Sequence, residues 1–429
     1  MKKNRKATDS AYTTLHQIVQ CIPPWMIQRI ANEVGVDTRG FSATSHVVAL
    51  LAGQLTHAFS LNEVCDSLAL REAELSRIRD VTAPRRNTLS NANRTRDPEI
   101  ARRLYWAVSG HLHANAPGFR GAPRHRGFLH RMRRNVYAID STVLRLCLSC
   151  MDWARHRRRK AAAKMHMRIE IASFIPSMVI VDPASGHDSA KAKALCAGVA
   201  KDDIVIADRA YVDFGFLGGL DAAGITFVLR PKRNMVFKTL RAVTPPGGGL
   251  IEDVIVEPAG RHAEKYAGTL RRVRMMVEVD GHMREMAFMT NSTAWSARTV
   301  AELYKARWEV EVLFKELKQT LQLSDFIGTN ENAVRWQIWI ALLAHLLLHW
   351  LRHRSQWGLS FTRLAGIVRS AVWMKTDIIA ALHYYGTAGP PSRPTPVAEQ
   401  LYLQGFEPNT SRTVGQHAPT KTRVKGPDH

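Results

Sequence analysis

Cysteine is scarce in this chain of 429 residues: there are five, an odd number. No apolar h-region follows the basic opening MKKNRKATDS, so an exported, disulfide-stapled scaffold is not expected. Cys147 and Cys150 form one C-x-x-C in a strand-like segment with no second Cys or His pair at zinc spacing, which reads as small buried hydrophobes. Acidic residues are also short, 37 Asp and Glu against 60 Lys and Arg, a formal charge of +23. Such an excess calls for a polyanion, either nucleic acid or an anionic membrane surface. A long apolar run is missing too. The longest, residues 338–351, falls short of the roughly 20 residues a span needs and carries His345 and His349. It reads as a buried helix, and the two histidines, lacking a third ligand nearby in sequence, as residues of that helix rather than zinc ligands. Nucleic acid is therefore the expected partner, with no membrane, and a cytoplasmic location is expected. Internal repeats are absent, as is the aromatic and glycine motif of an RNA-recognition module.

What is present falls into segments. Residues 1–118 carry helical periodicity with hardly any strand signal, and are expected to form an all-helical DNA-binding domain. FSATSHVVALLAGQLTHAF and SLNEVCDSL suggest two short helices with a tight turn, the second opened by a capping box of Ser60 and Glu63. Residues 119–134, crowded with Arg and His around Gly and Pro, read as a basic linker. Over 135–231 short strands come first in hairpin-like succession and then alternate with helices, as in a mixed α/β sheet. Residues 232–296 read as a β-rich insertion, with a turn at Asp280 and Gly281. Helices return over 297–355, and 356–429 read as a helical segment with a tail rich in Pro, Gly, Ser and Thr.

Three acids stand out. Asp140 lies inside the apolar strand YAIDSTV and Asp208 closes IVIAD. An ionised group there is costly unless it binds a cation or accepts backbone hydrogen bonds, and the strands alone leave both readings open. Glu311 belongs to ELYKARWEVEVLFKELKQTLQL. On one continuous helix at about 100° per residue, Tyr304, Arg307, Glu311 and Lys318 fall within about 60° of one another, beside an apolar stripe. Such a stripe can hold a phosphate and a metal; Arg307 and Glu311 also have the spacing of a plain i, i+4 ion pair.

The combination resembles the DDE transposases of bacterial insertion sequences, in particular the insertion-sequence-four family. Its third acid lies in a Y-x2-R-x3-E-x6-K signature, matched here by Tyr304, Arg307, Glu311 and Lys318, with the first acid in AIDST and the second in ADRAY. The likeness covers most of residues 10–355. It departs from the family at Ala210, where glycine is frequent, and in MREMAFMTN, which offers only Phe288 where some relatives carry a base-stacking Trp and so leaves that role unassigned. The resemblance implies an RNase H-like mixed sheet interrupted by the β-rich insertion. It also implies Asp140, Asp208 and Glu311 as catalytic residues holding two Mg²⁺ ions, with Mn²⁺ able to substitute. Tyr304, Arg307, Lys318 and Arg209 would contact DNA. The partners would be double-stranded DNA, as terminal inverted repeats and target, and a second copy of the chain in the synaptic complex. An RNase H-like nuclease would need the same acids; the Tyr-Arg-Glu-Lys helix and the helical N-terminal region favour transposition. Arg155 to Lys160, Lys164, His166 and Asp188 are further polar candidates, Asp188 in a loop.

Overall fold

The computed structural model describes residues 9–36, 40–119, 132–146, 155–157, 160–184, 187–261, 263–279, 281–323 and 327–387. Most of the basic linker, Cys147, Cys150, Asp280, the side chains of Arg155 to Lys160 and the tail from residue 388 lie outside that set.

Seven helices come first: α1 (Thr14–Gln20), α2 (Met26–Val34), α3 (Ala43–Thr56), α4 (Leu61–Ala69), α5 (Glu72–Ser76), α6 (Arg86–Thr95) and α7 (Glu99–Asn115). Their ends follow local chemistry. Ser60 caps α4 by accepting from the Glu63 N–H at 3.1 Å, and Glu63 reaches back to the Phe59 N–H at 2.7 Å. The box closes one residue earlier than its usual form, on the residue before the cap.

The strands β1 (Val136–Leu146), β2 (Arg155–Arg157), β3 (Lys160–Glu170), β4 (Ile175–Pro183), β5 (Ile204–Ala207), β6 (Thr226–Leu229), β7 (Val236–Ala242), β8 (Leu250–Ala259), β9 (Leu270–Val279) and β10 (His282–Thr290) make one ten-stranded mixed sheet. Its order is β2-β3-β1-β5-β6-β10-β9-β8-β7, with β4 also paired to β3. β1, β3 and β4 are antiparallel neighbours, while β5 runs parallel to β1 and to β6. That change of direction needs crossovers, supplied by α8 (Ser189–Leu195) and α9 (Phe214–Ala222). All four residues of β5 are buried, as expected of a central parallel strand covered on both faces. The β-rich segment is not a separate body: β10 pairs with β6 through Met289–Leu229 and Thr290–Val228 and so continues the sheet.

Next come α10 (Ala297–Lys305), α11 (Trp308–Lys315), a π-helical turn (Glu316–Thr320), α12 (Glu331–Arg354), α13 (Phe361–Ala371) and α14 (Ile378–Thr387). The single helix expected across 302–323 is thus three pieces. Arg307, Glu309 and Val310 bond back by three residues, to Tyr304, Ala306 and Arg307, which tightens the chain at Ala306–Arg307. The π turn then widens it. α12 is long and apolar enough to cross a membrane, but 89% of its apolar window is buried within the protein. It packs against α3, α6 and α7 on one side and α13 on another, which accounts for its being apolar all round. The main core joins these helices to one face of the sheet; a second core, with α8 and α9, covers the other.

Candidate active site

Strand register creates the site. Ile139 pairs with Ala207 in the parallel β1–β5 ladder, so Asp140 and Asp208 follow side by side at the same end of adjacent strands. Asp140 is mostly buried, its side chain 18% exposed, and its Oδ1 accepts the Ser141 N–H at 2.7 Å. Asp208 leaves β5 with extended backbone and opens a short 3-10 turn, Arg209–Tyr211. Ala210 in that turn is not at positive φ, so no glycine is required there.

The broken helix brings its residues to the two aspartates from the other side. Arg307 donates from one guanidinium nitrogen to Asp140 Oδ2 at 2.5 Å and from the other to Glu311 Oε1 at 2.7 Å. The Tyr304 hydroxyl donates to Asp208 Oδ1 at 3.3 Å. Lys318 lies past the start of the π turn and donates to the Val143 carbonyl of β1 at 2.8 Å. Tyr304, Arg307 and Glu311 therefore converge with Asp140 and Asp208, while Lys318 sits farther along β1. Arg209 is exposed beside Asp208.

Burial pushes the Asp140 carboxyl up to about 6; Arg307 and the Ser141 N–H pull it down, and the charges of Asp208 and Glu311 add to the rise. The Arg307 guanidinium is penalised by burial, but the phenol of Tyr304 and the acids Asp140 and Glu311 raise it above its ordinary range. Burial lifts the Tyr304 hydroxyl to about 12. Three carboxylates thus contact or neighbour a single bridging guanidinium, a donor set of oxygens that fits hard divalent cations. Arg307 also keeps a buried Nε donor with no acceptor among the described residues.

Several residues had no role assigned from sequence. Tyr211, three residues beyond Asp208, is buried, accepts or donates at 2.9 Å with His166 Nδ1, and hydrogen-bonds Ser141 beside Asp140. It is the last letter of ADRAY, the one available signal. Arg230, just past β6, is close enough to act on the Tyr304 hydroxyl; a cation following the strand next to β5 was its trace in the sequence. Asp188 is tied to Lys164 at 2.7 Å and lies 3.8 Å from His166, so it is a paired charge at the start of α8. Phe288 is 1% exposed and packs on the Tyr304 ring at 5.3 Å, which makes it a core residue and removes it as a stacking surface.

His345 and His349 are buried residues of α12, as expected, but a carboxylate joins them from outside that helix. Glu316, at the head of the π turn, places a carboxylate oxygen 2.9 Å and 3.3 Å from their Nε2 atoms. Sequence could not show this, because 29 residues separate Glu316 from His345.

With this geometry in hand, the chain can be set beside known proteins. A family model described as a transposase DDE domain matches residues 131–347, half of the chain. The chain belongs to the DDE transposase family. Its activity is accordingly metal-dependent cleavage and transfer of DNA strands. A second model, a domain of unknown function (DUF4372), matches residues 10–78 of the transposase. A putative transposase from Sinorhizobium fredii, y4zB, is 27% identical over 70% of this chain and 80% of its own length. A probable transposase for insertion sequence element IS5377 of Geobacillus stearothermophilus is 27% identical over 53% and 59%. A putative transposase for insertion sequence element IS4SA of Synechocystis is 23% identical over 61% and 70%. Among solved structures, a piggyBac transposase synaptic complex with hairpin DNA aligns at TM-score 0.43 and 11% identity over 83% of this chain and 77% of that one, too slight a likeness to carry an argument.

Proposed function

We propose that this transposase serves a bacterial insertion sequence of the insertion-sequence-four family. It binds the terminal inverted repeats of its element, cuts DNA strands at the element ends and joins the freed 3′ ends to target DNA. The observation that carries the proposal is the alignment of Asp140 with Asp208 on adjacent parallel strands, closed by Arg307 bridging Asp140 to Glu311. The order β4-β3-β1-β5-β6, three antiparallel strands and then two parallel to β1, supports an RNase H-like core with β7–β10 as its insertion.

On this reading Asp140, Asp208 and Glu311 are the metal ligands. When bound, two Mg²⁺ ions, or Mn²⁺ in their place, supply activation of the attacking hydroxyl and charge stabilisation of the leaving oxygen. In each step an oxygen of water, or of a freed 3′ end, bonds to phosphorus as the bond from phosphorus to the leaving 3′ oxygen breaks, and that oxygen takes up a proton. Arg307 and Lys318 hold backbone phosphates near the cleaved end. Tyr304 and the exposed Arg209 position the strand near Asp208. The N-terminal helices take the repeat: α6 exposes Arg86, Asn87, Asn91 and Arg94 on its solvent side, next to the exposed Arg85, a mix of cations and amides suited to phosphates and base edges. Joining two ends requires two copies of the chain in the synaptic complex. The protein would act in the cytoplasm, at the nucleoid.

The test is incubation of purified protein with labelled DNA carrying the ends that flank its gene, with Mg²⁺ or Mn²⁺, beside Glu311→Gln. Metal-dependent nicking at the ends by the wild type alone supports the assignment. Equal nicking by Glu311→Gln would refute the role of Glu311, and binding without cleavage by the wild type would refute the cutting reaction.

A further inference from the structure

A second constellation lies away from the three acids. Glu316 Oε2, His345 Nε2 and His349 Nε2 form a closed triangle with sides of 2.9, 3.3 and 3.1 Å, and all three residues are buried. Hydrogen bonding alone cannot account for such a triangle. Two imidazole Nε2 atoms carry at most two protons between them and a carboxylate carries none, so at least one side has no proton along it. Yet three polar atoms have been drawn out of solvent to one point, where an unsatisfied contact is expensive.

A cation at that point satisfies all three. Four ligands at the 2.0–2.2 Å distances of zinc with nitrogen and oxygen stand about 3.3–3.6 Å apart along the edges of their tetrahedron. The observed side of 3.3 Å matches such an edge, and those of 2.9 and 3.1 Å would open slightly around an ion. Aromatic walls fix the rings: Phe361 stacks on His349 at 4.8 Å and lies 5.1 Å from His345, and Phe174 lies 5.6 Å from His349.

We propose that Glu316, His345 and His349 form a buried zinc site that clasps the helix bearing Glu311 to the core helix α12. Two imidazoles and one carboxylate prefer zinc to the all-oxygen ion Mg²⁺, so this site takes a different metal from the one that suits three carboxylates. The ion bridges elements 29 residues apart in sequence, between Glu311 and Lys318 on the same stretch of chain. Its work is to hold the π turn, and through it the approach of Glu311 to the sheet.

The measurement uses full-length protein carrying Asp140→Ala and Glu311→Gln, so that metal held by the three acids is not counted. After dialysis against Mg²⁺ buffer without zinc, elemental analysis should find about one zinc per chain, and Co²⁺ exchange should give the intense visible bands of a four-coordinate ion. His349→Gln and Glu316→Gln, each added to that background, should lose the bands. A picolinate-type chelator should lower Tm in the background protein, and Zn²⁺ should restore it by mass action. Should a folded background protein retain below about a tenth of a zinc per chain, and Zn²⁺ leave its Tm unmoved, the site does not exist. Cobalt bands of full intensity in a folded His349→Gln protein would equally overturn the assignment.

Discussion

Among the described residues, two arginines are buried against aspartate, and their surroundings differ. In the outer strands, Arg271 of β9 grips Asp253 of β8 with two bonds of 2.7 Å, their side chains 2% and 0% exposed; the arginine also donates to the Trp295 carbonyl at 2.5 Å. One cation meets one anion and the pair is sealed. At the candidate site, Arg307 spans Asp140 and Glu311 with Asp208 close behind, and Glu311 remains 41% exposed on the open side. The first arrangement balances its charge and holds two strands in register. The second leaves anionic charge over and a face open to receive cations, which is the difference between an ion pair that serves the fold and one that serves a reaction.

That contrast can be broken by exchanging the roles. Asp140→Ala should lower metal-dependent nicking of end DNA by at least about 10³-fold, the equivalent of several kcal/mol of lost metal-borne stabilisation, while its urea midpoint stays at or above that of the wild type. Nicking assays beside urea unfolding read both; a large loss of stability would place Asp140 with the structural pairs. Asp253→Ala should do the reverse, costing about 3–5 kcal/mol of unfolding free energy by leaving Arg271 buried and unpaired. A loss of unfolding free energy below about 1 kcal/mol would show that strand pairing, not the ion pair, holds that region. The smallest effect is in pH. Because the folded Asp140 carboxyl sits near 6, above its ordinary 3.8, the folded state binds the extra proton, and stability without metal should fall as pH rises from about 4 to about 6. Metal binding has the opposite sense, since it needs the ionised form: Mn²⁺ affinity should climb by up to about tenfold per pH unit below 6 and level off above it. Calorimetric titration between pH 5 and 7.5 checks this; a flat profile would mean that Asp140 is not a ligand.

Asp140 and Asp208 were legible in the sequence because each interrupts a run of apolar residues, and a charge in such a place advertises a partner. Glu311 and Arg307 were legible from spacing. Their ion pair at 2.7 Å is the one the i, i+4 rule would draw on any helix; its extension to Asp140 is tertiary and was not. The break at Ala306–Arg307 and the π turn were hidden because neither is marked by Pro or Gly. The place of Phe288 could not be read, because alternation along a strand says which residues share a face, not that the face is covered by Tyr304. Much of the fold, from the capped α4 to the strand order's antiparallel start and parallel continuation, followed periodicity. The joining of β10 to β6 did not, since pairing partners are chosen by long-range closure.

The parallel match of Ile139 with Ala207 has a consequence for the fidelity of folding. Side chains alternate between faces along a strand, so a slip of a single residue between β1 and β5 would turn Asp140 away from Asp208 and send Ile139 or Ser141 into its place. The seam that builds the sheet is thus also the gauge that spaces the two acids. A chain that paired these strands one residue out would carry every residue of the site and be inert, so activity in this protein reports on strand alignment as directly as on the chemistry of its carboxylates.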